Sequence, residues 1–364
     1  MQPNCGTIHF LSITVNNIPT CLRELEKIFV IMHRQHLDLL VCPRTKLPLI
    51  FKENSLIIEN GQIKEGLLSE PISGNEYPII NFIPRFVPSD NYANNFGLEW
   101  NIHSKTQYDD YSGLNISKER FENETQWSRN LHGEIILECG SGSGRFTKHA
   151  LDTGAIIVSF DYSNAVEANF KSNGHHENLL LVQADIYQMP FRKYFFNKVF
   201  CFGVLQHTPD PEKAFKSIVD HMQPGGIIAT DIYRKYWYSL IMPRNLIRHF
   251  TTHLDPGNLY KYIKNYITFM WPVVKAARKI PRIGYLIIFN IFFIADYAAI
   301  MNNSPDSLVM EWAYLDTYDM LSPKFENLVT LLTFKQWHED VGLINIDVRY
   351  GYNGIEGHGI QPER

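Results

Sequence analysis

Short apolar runs bounded by turn residues recur from residue 135 onward: Ile135–Leu137, Ala155–Phe160, Leu179–Val182, Lys198–Phe202, Ile227–Ile232 and Ile344–Val348. Runs of this length, rich in Ile, Val, Leu and Phe, read as strands buried on both faces. Helical signals fall between them, notably over Asn164–Lys171, Pro211–Met222 and Thr333–Val341. Strands alternating with helices predict a mostly parallel, doubly wound sheet, whose ligands sit at the carboxyl ends of its strands.

The chemistry of the chain gathers at those ends. The first run continues into Glu138-Cys139-Gly140-Ser141-Gly142-Ser143-Gly144, a strand-to-helix turn whose glycines permit positive φ and close backbone approach to a ligand. A dinucleotide fingerprint would place its third glycine at position 145, where Arg145 stands, and no Gly-Lys-Ser/Thr phosphate loop follows. The second run ends in Asp161-Tyr162-Ser163, the third in Asp185-Ile186, and the fourth in Phe202-Gly203-Val204-Leu205-Gln206-His207. A carboxylate at the second strand end can accept from two vicinal ribose hydroxyls. Each acid also reads as a turn or helix cap, a role Asp fills well. Three acids at three successive strand ends beside a glycine turn are harder to assign to capping alone.

The order of glycine turn, acid, acid, Leu-Gln-His and Pro224-Gly225-Gly226 resembles class I S-adenosylmethionine (SAM) dependent methyltransferases across residues 135–232. The resemblance implies an α/β fold: a Rossmann-like, seven-stranded doubly wound sheet with a small N-terminal β-rich domain and a helical lid insertion. It implies SAM as cofactor. Glu138, Gly140, Ser141, Gly142 and Gly144 would cradle its methionine part. Asp161, Tyr162 and Ser163 would take the ribose and cover the adenine, Asp185 and Ile186 would hold the adenine, and Phe202 and Gly203 would complete the wall. Phe96, Trp100 and Tyr108, in the aromatic stretch before the turn, are expected near the cofactor or at a domain junction.

Upstream, Leu37–Lys46 and Tyr77–Pro84 resemble the small Trm112-like zinc-ribbon domain. That family carries four metal ligands, whereas here only Cys42 stands at a ligand position, with Thr45, Glu70 and Ser73 at the other three. Hydroxyl groups do not supply a structural zinc site. A metal-free β-rich domain follows, with Leu47, Leu49, Ile57, Ile58, Ile79, Ile80 and Ile83 as its expected core.

After the fifth strand comes an insertion from Tyr233 to Lys324, far longer than the helix usual there. Aromatic residues crowd this insertion, and Ile283–Met301 is strongly apolar. A bilayer span needs about 20 apolar residues, and Asn290 and Asp296 interrupt this run. A buried lid helix is the expectation, and peripheral contact with a membrane or a lipid-linked substrate is the alternative. Asp316, Tyr318 and His207 are the candidates for acceptor contact or proton removal, because a hydroxyl acceptor loses a proton as it attacks. His207 also reads as a brace for the loop over the cofactor.

The expected parts are an extension (1–34), the degenerate zinc-ribbon-like domain (35–88), a connector with cofactor-covering helices (89–130), the SAM-binding core (131–232), the lid (233–324) and the C-terminal end of the sheet (325–364). The net charge of −4 over 364 residues gives no general attraction to nucleic acid. Five scattered cysteines and the absence of a basic start at Met1–Asn17 suggest a reducing, cytoplasmic setting. The expected activity is methyl transfer to an oxygen or nitrogen of a small-molecule, sugar or lipid-linked glycan acceptor. The rivals are a methyltransferase of RNA or protein, and a catalytically silent SAM-binding scaffold.

Overall fold

The computed structural model describes residues 34–363 apart from positions 60, 89, 240, 241 and 302. The expectations for Met1–Asn17, and for Cys5 and Cys21, lie outside the described residues. Strands β1 (Ile50–Phe51), β2 (Ile57–Glu59), β3 (Gln62–Ser69), β4 (Glu76–Ile80) and β5 (Ile83–Pro84) form a small antiparallel sheet. Helices α1 (Asn94–Ile102), α2 (Asp109–Ser112) and α3 (Ile116–Thr125) lead to β6 (Ile135–Cys139). Then follow α4 (Arg145–Leu151), β7 (Ile156–Asp161), α5 (Val166–Asn173), β8 (Leu179–Gln183), β9 (Phe196–Cys201), α6 (Pro211–Val219) and β10 (Met222–Ile232). Four helices come next: α7 (Pro243–Thr251), α8 (Pro256–Arg278), α9 (Gly284–Asn290) and α10 (Asp306–Leu321). The chain closes with α11 (Leu331–Asp340) and the hairpin β11 (Ile344–Gly351) and β12 (Gly354–Ile360).

The larger sheet has seven strands in the order β11-β12-β10-β9-β6-β7-β8. Strands β6 to β10 run parallel, and the terminal hairpin joins β10 antiparallel through β12. The chain winds outward from β6 through β7 to β8, then returns to β9 on the other side of β6. The switch point of this doubly wound sheet is therefore the β6/β9 pair, where a crevice opens at the carboxyl ends. Leu137, Val158, Leu180 and Val199 lie at the center of the sheet and are fully buried.

Helix boundaries follow local chemistry. Asp210 accepts from the Lys213 N–H at 3.0 Å and Pro211 opens α6. Asp255 and Pro256 do the same for α8, through the Asn258 N–H at 2.9 Å. An acid cap followed by proline satisfies one orphan donor and presets φ.

The small sheet joins the edge of the large one. The Phe86 N–H donates to the Gln183 carbonyl at 2.8 Å, and the Val41 N–H to the Pro190 carbonyl at 2.8 Å. Of its expected core, Leu49, Ile79 and Ile83 are buried, whereas Leu47, Ile57, Ile58 and Ile80 are exposed. Strand alternation explains the split at Ile79 and Ile80, since successive side chains face opposite ways. The run Ile283–Met301 also departs from expectation. Only Gly284–Asn290 is helical, and its side chains divide between buried Ile288, Ile294 and Met301 and exposed Tyr285, Leu286 and Ile291. No described helix is long and apolar enough to cross a membrane.

Positions 42, 45, 70 and 73 come together in space. The Thr45 hydroxyl donates to Glu70 at 3.5 Å, the Ser73 hydroxyl also donates to Glu70, and Cys42 meets the Tyr77 hydroxyl at 3.2 Å. One thiol, one carboxylate and two hydroxyls do not make a zinc donor set; hydrogen bonds hold the loops together instead. Elemental analysis of the purified protein is expected to find no stoichiometric zinc. About one zinc per chain would overturn this reading of the four positions.

Candidate active site

The turn after β6 is fixed from below by β7. The Gly140 and Ser141 N–H groups both donate to the Phe160 carbonyl, at 2.8 and 3.0 Å, and the Gly142 N–H donates to Asp161 Oδ2 at 2.9 Å. Gly140 has φ +77°, and a Cβ there would lie 2.3 Å from Val204. Gly142 has φ +53°, and its Cβ would lie 3.2 Å from the Trp100 ring. Gly140 disfavors a side chain on conformational and steric grounds, and Gly142 through its positive φ, with the Trp100 ring tight against any Cβ.

A cavity of about 590 Å³ opens over this turn. That is the size of a small-molecule site. At one end lie Ile186, Tyr162 and Tyr92, the two tyrosine rings 4.8 Å apart. Asp161 stands between them and the turn, with Oδ1 accepting from the Ser163 N–H and hydroxyl at 2.8 and 2.7 Å. Helix α5 starts at Val166 with Ala165 as its cap, so Asp161 is not a helix cap. At the other end the wall is formed by Glu99, Asp316 and Asp319 with Arg145, Tyr297 and His207.

Charge at that end is compressed. Burial pushes the Asp316 carboxyl up to about 7; Asp319 adds repulsion, while Arg145 and the Tyr297 hydroxyl oppose the shift. Burial likewise raises Asp319. Glu99 is driven well above the carboxylate range by burial and by both aspartates. The Arg145 guanidinium falls to about 10, first through burial and then through repulsion from Arg120. Clusters of perturbed acids in a cleft are where functional sites are found.

Several wall atoms await a partner. Neither Glu99 oxygen nor the Ser141 hydroxyl has a hydrogen bond among the described residues, though all three are buried. Buried polar atoms of this kind are costly unless a ligand or water completes them. A glycine turn with positive φ at Gly140 and Gly142, an acid at the end of β7 and an aromatic end pocket fit SAM.

Not every expected residue reaches the cavity. Gly140, Ser141, Gly142, Asp161, Tyr162, Ile186, Phe202, Gly203, His207 and Asp316 line it. Glu138 sits beneath the turn, where it accepts from the Thr147 and Ser159 hydroxyls and burial raises its carboxyl to about 7. Gly144 starts α4, Ser163 is buried behind Asp161, and Asp185 accepts from the Tyr187 N–H at 2.9 Å in its own turn. Tyr108 is buried with its hydroxyl on the Ser143 carbonyl at 2.8 Å, bracing the turn from behind.

Tyr318 is a correction. It is fully buried among the helices of the insertion, with its hydroxyl toward the Pro256 carbonyl at 3.4 Å. The stretch Asp316–Met320 is helical, and residues two apart point to opposite sides of a helix while residues three apart share a face. Asp319 therefore joins Asp316 on the wall, a partner that helical spacing could have found. Truncating a buried aromatic costs about 3–5 kcal/mol. Tyr318→Ala is thus expected to lower unfolding stability in urea by that order, and Tyr318→Phe to leave stability and turnover near wild type.

Sequence reasoning also missed an ion-pair network under the fourth and fifth strand ends. Arg120 pairs with Glu124 at 2.6 Å and with Asp231, which also accepts from the Gly203 N–H. This buried network fixes the Gly203 turn against β10. His207 is tied down too: its Nδ1 donates to the Phe325 carbonyl at 3.1 Å, and its ring lies 5.0 Å from Phe96 and 5.5 Å from Tyr233.

A doubly wound sheet with a glycine turn at its switch point and an acid at the next strand end defines the core as a SAM-binding domain of the methyltransferase class. Residues 137–230 match the family described as the methyltransferase domain. Among curated relatives, the tRNA U34 carboxymethyltransferase of Campylobacter curvus is 29% identical over 105 residues, covering 28% of this chain and 35% of that one. The ubiquinone biosynthesis O-methyltransferase of a Shewanella species is 24% identical over 107 residues, covering 28% of this chain and 45% of that one. The chain spans less than half the length of these two relatives. A solved phosphoethanolamine N-methyltransferase of Haemonchus contortus is 14% identical, covering 65% of this chain and 38% of that chain at a TM-score of 0.36. Likeness at that level decides nothing about this chain.

Proposed function

We propose that the chain transfers a methyl group from SAM to an oxygen or nitrogen of a small acceptor, a sugar or a lipid-linked glycan among them. The observation that carries this reading is the single cavity running from the Gly140–Gly142 turn into the acid cluster of Glu99, Asp316 and Asp319. When bound, SAM supplies an electrophilic methyl group on a sulfonium sulfur. Gly140, Gly142, Asp161, Tyr162 and Ile186 would hold it. The insertion of residues 233–324, with helices α7 to α10, acts as the lid that selects the acceptor. Their Tyr297, Asp316 and Asp319 offer hydrogen-bonding groups suited to hydroxyl or amine acceptors, while Phe289 and Met320 supply apolar wall.

Asp316 takes the acceptor's proton. A carboxyl near 7 is half ionized at neutral pH, where a general base works best. His207 braces the site: its Nδ1 proton is committed to the Phe325 carbonyl, so its ring position is set by packing. The small sheet at the N-terminal side is a zinc-ribbon-like relic without metal, and the setting is the cytoplasm. Thermal-shift titration with SAM tests the reading, because a ligand that binds only the folded state raises its stability. A cofactor-dependent shift followed by methylation of a small acceptor supports it; a shift with methylation only of RNA or protein transfers the activity to a macromolecular acceptor.

Asp161 offers a sharper check of the cofactor site. Asp161→Ala removes a carboxylate partner and frees the Gly142 N–H. It is expected to weaken SAM by about 1–3 kcal/mol, the usual cost of losing a hydrogen bond to a charged group. An unchanged dissociation constant by calorimetry would leave Asp161 as an internal brace only.

A further inference from the structure

Helix α8 has two apolar faces, and only one is covered. Leu259, Ile263, Ile267, Trp271, Val274 and Ala277 are buried against the neighboring helices. Tyr262, Tyr266, Phe269, Val273 and Ala276 follow one another at spacings of four and three residues, and Ile280 continues the apolar run just past the helix end. At 3.6 residues per turn they fall within a stripe about 80° wide. This stripe is exposed, Phe269 at 80% and Tyr262 at 61%. Lys261 and Lys279 border it on the side away from the core and are exposed as well; Lys264 and Lys275 turn instead toward α10, to the Tyr314 ring and to Asp306 at 3.2 Å. Helix α9, which packs on α8, adds exposed Tyr285 and Leu286.

The charge of the region is out of line with the chain. Residues 243–301 hold eight Lys and Arg against two Asp and no Glu, while the whole chain carries −4. We propose that this face docks on the surface of an anionic lipid bilayer. Helix α8 lies in the plane of the head groups, its aromatic and aliphatic stripe enters the acyl boundary, and its lysines reach lipid phosphates. An amphipathic helix with Lys on its polar flank and aromatic residues on its apolar face binds interfaces in this way. Tyrosine favors the boundary because its ring is apolar and its hydroxyl is polar.

The composition separates this occupant from others. Protein interfaces are depleted in lysine, and this stripe is bordered by Lys261 and Lys279. Nucleic-acid surfaces stack bases on aromatic rings set in a basic groove, whereas the rings of Tyr262, Tyr266 and Phe269 continue on a convex helix face into aliphatic Val273 and Ala276. Docking does not depend on the methyl-transfer reading, but it bears on the acceptor. Phe289 of α9 lines the cavity, so the same helix pair meets both the bilayer and the site.

The test is sedimentation of the full chain with vesicles of phosphatidylcholine alone and of phosphatidylcholine mixed with phosphatidylglycerol. The expected result is binding to the mixed vesicles, reversed by salt. The double variant Tyr262→Glu and Phe269→Glu should lose it with an unchanged melting temperature, and Lys261→Glu with Lys279→Glu should lose the preference for anionic lipid. S-adenosylhomocysteine titration on the same proteins keeps a failure of the cofactor site distinguishable. The proposal is overturned if neither vesicle is bound, if light scattering shows a dimer that Phe269→Glu dissolves, or if an RNA oligonucleotide is bound in preference to anionic vesicles.

Discussion

Gly142→Val abolishes SAM binding while the protein stays folded. The residue holds φ +53° and its N–H is given to Asp161. A β-branched residue in that region is a steric outlier, at about 1–2 kcal/mol for the left-handed conformation. The added methyls would also meet Trp100, whose ring already lies 3.2 Å from the Cβ position. Trp100 and Gly142 both line the cavity, so any relief pushes atoms into the space the cofactor needs. The circular dichroism spectrum should be retained with a modest fall in melting temperature. Undiminished SAM affinity in this variant would remove the turn from the cofactor site.

Asp316→Asn is expected to lower turnover by about 10²–10⁴-fold, the usual contribution of a positioned base, with SAM affinity near wild type. The pH profile carries the sharper signature. The folded carboxyl sits at about 7, above its ordinary range, because it is buried beside Asp319. Below that pH it is protonated and cannot accept the acceptor's proton, so wild-type activity should rise as pH increases through about 7. The asparagine variant should lack this limb. If its residual activity keeps the same limb, another group is the base, and His207 is the first to examine.

What the sequence revealed and what it hid divide along one line. The strands β6, β7, β8 and β9 were legible because each is a compact apolar run, and the glycine turn because its residues act locally on backbone conformation. Strand β12 was not legible as a strand: Gly354-Ile355-Glu356-Gly357-His358-Gly359-Ile360 has three glycines in seven residues, and pairing with β10 overrides its poor strand propensity. The acid end of the cavity was half legible. Asp316 was legible through the resemblance of its Asp-Thr-Tyr-Asp stretch to that of similar enzymes, but Tyr318 was misplaced because the stretch was read without its helical phase. Glu99, Arg145 and Tyr297 come from three separate segments, and only tertiary packing brings them to one wall. The same limit held at the small sheet. The residues at positions 42, 45, 70 and 73 were legible as a set, while the exposure of Ile57 and Ile58 depended on which face of the sheet met the core.

Everything proposed for the acceptor rests on this cavity holding SAM. Isothermal titration calorimetry of the wild-type protein with S-adenosylhomocysteine tests it most directly, because it needs no knowledge of the acceptor. Saturable binding of one molecule per chain is expected, lost in Gly142→Val and weakened in Asp161→Ala. No binding by folded wild-type protein, or equal binding by all three proteins, would contradict it.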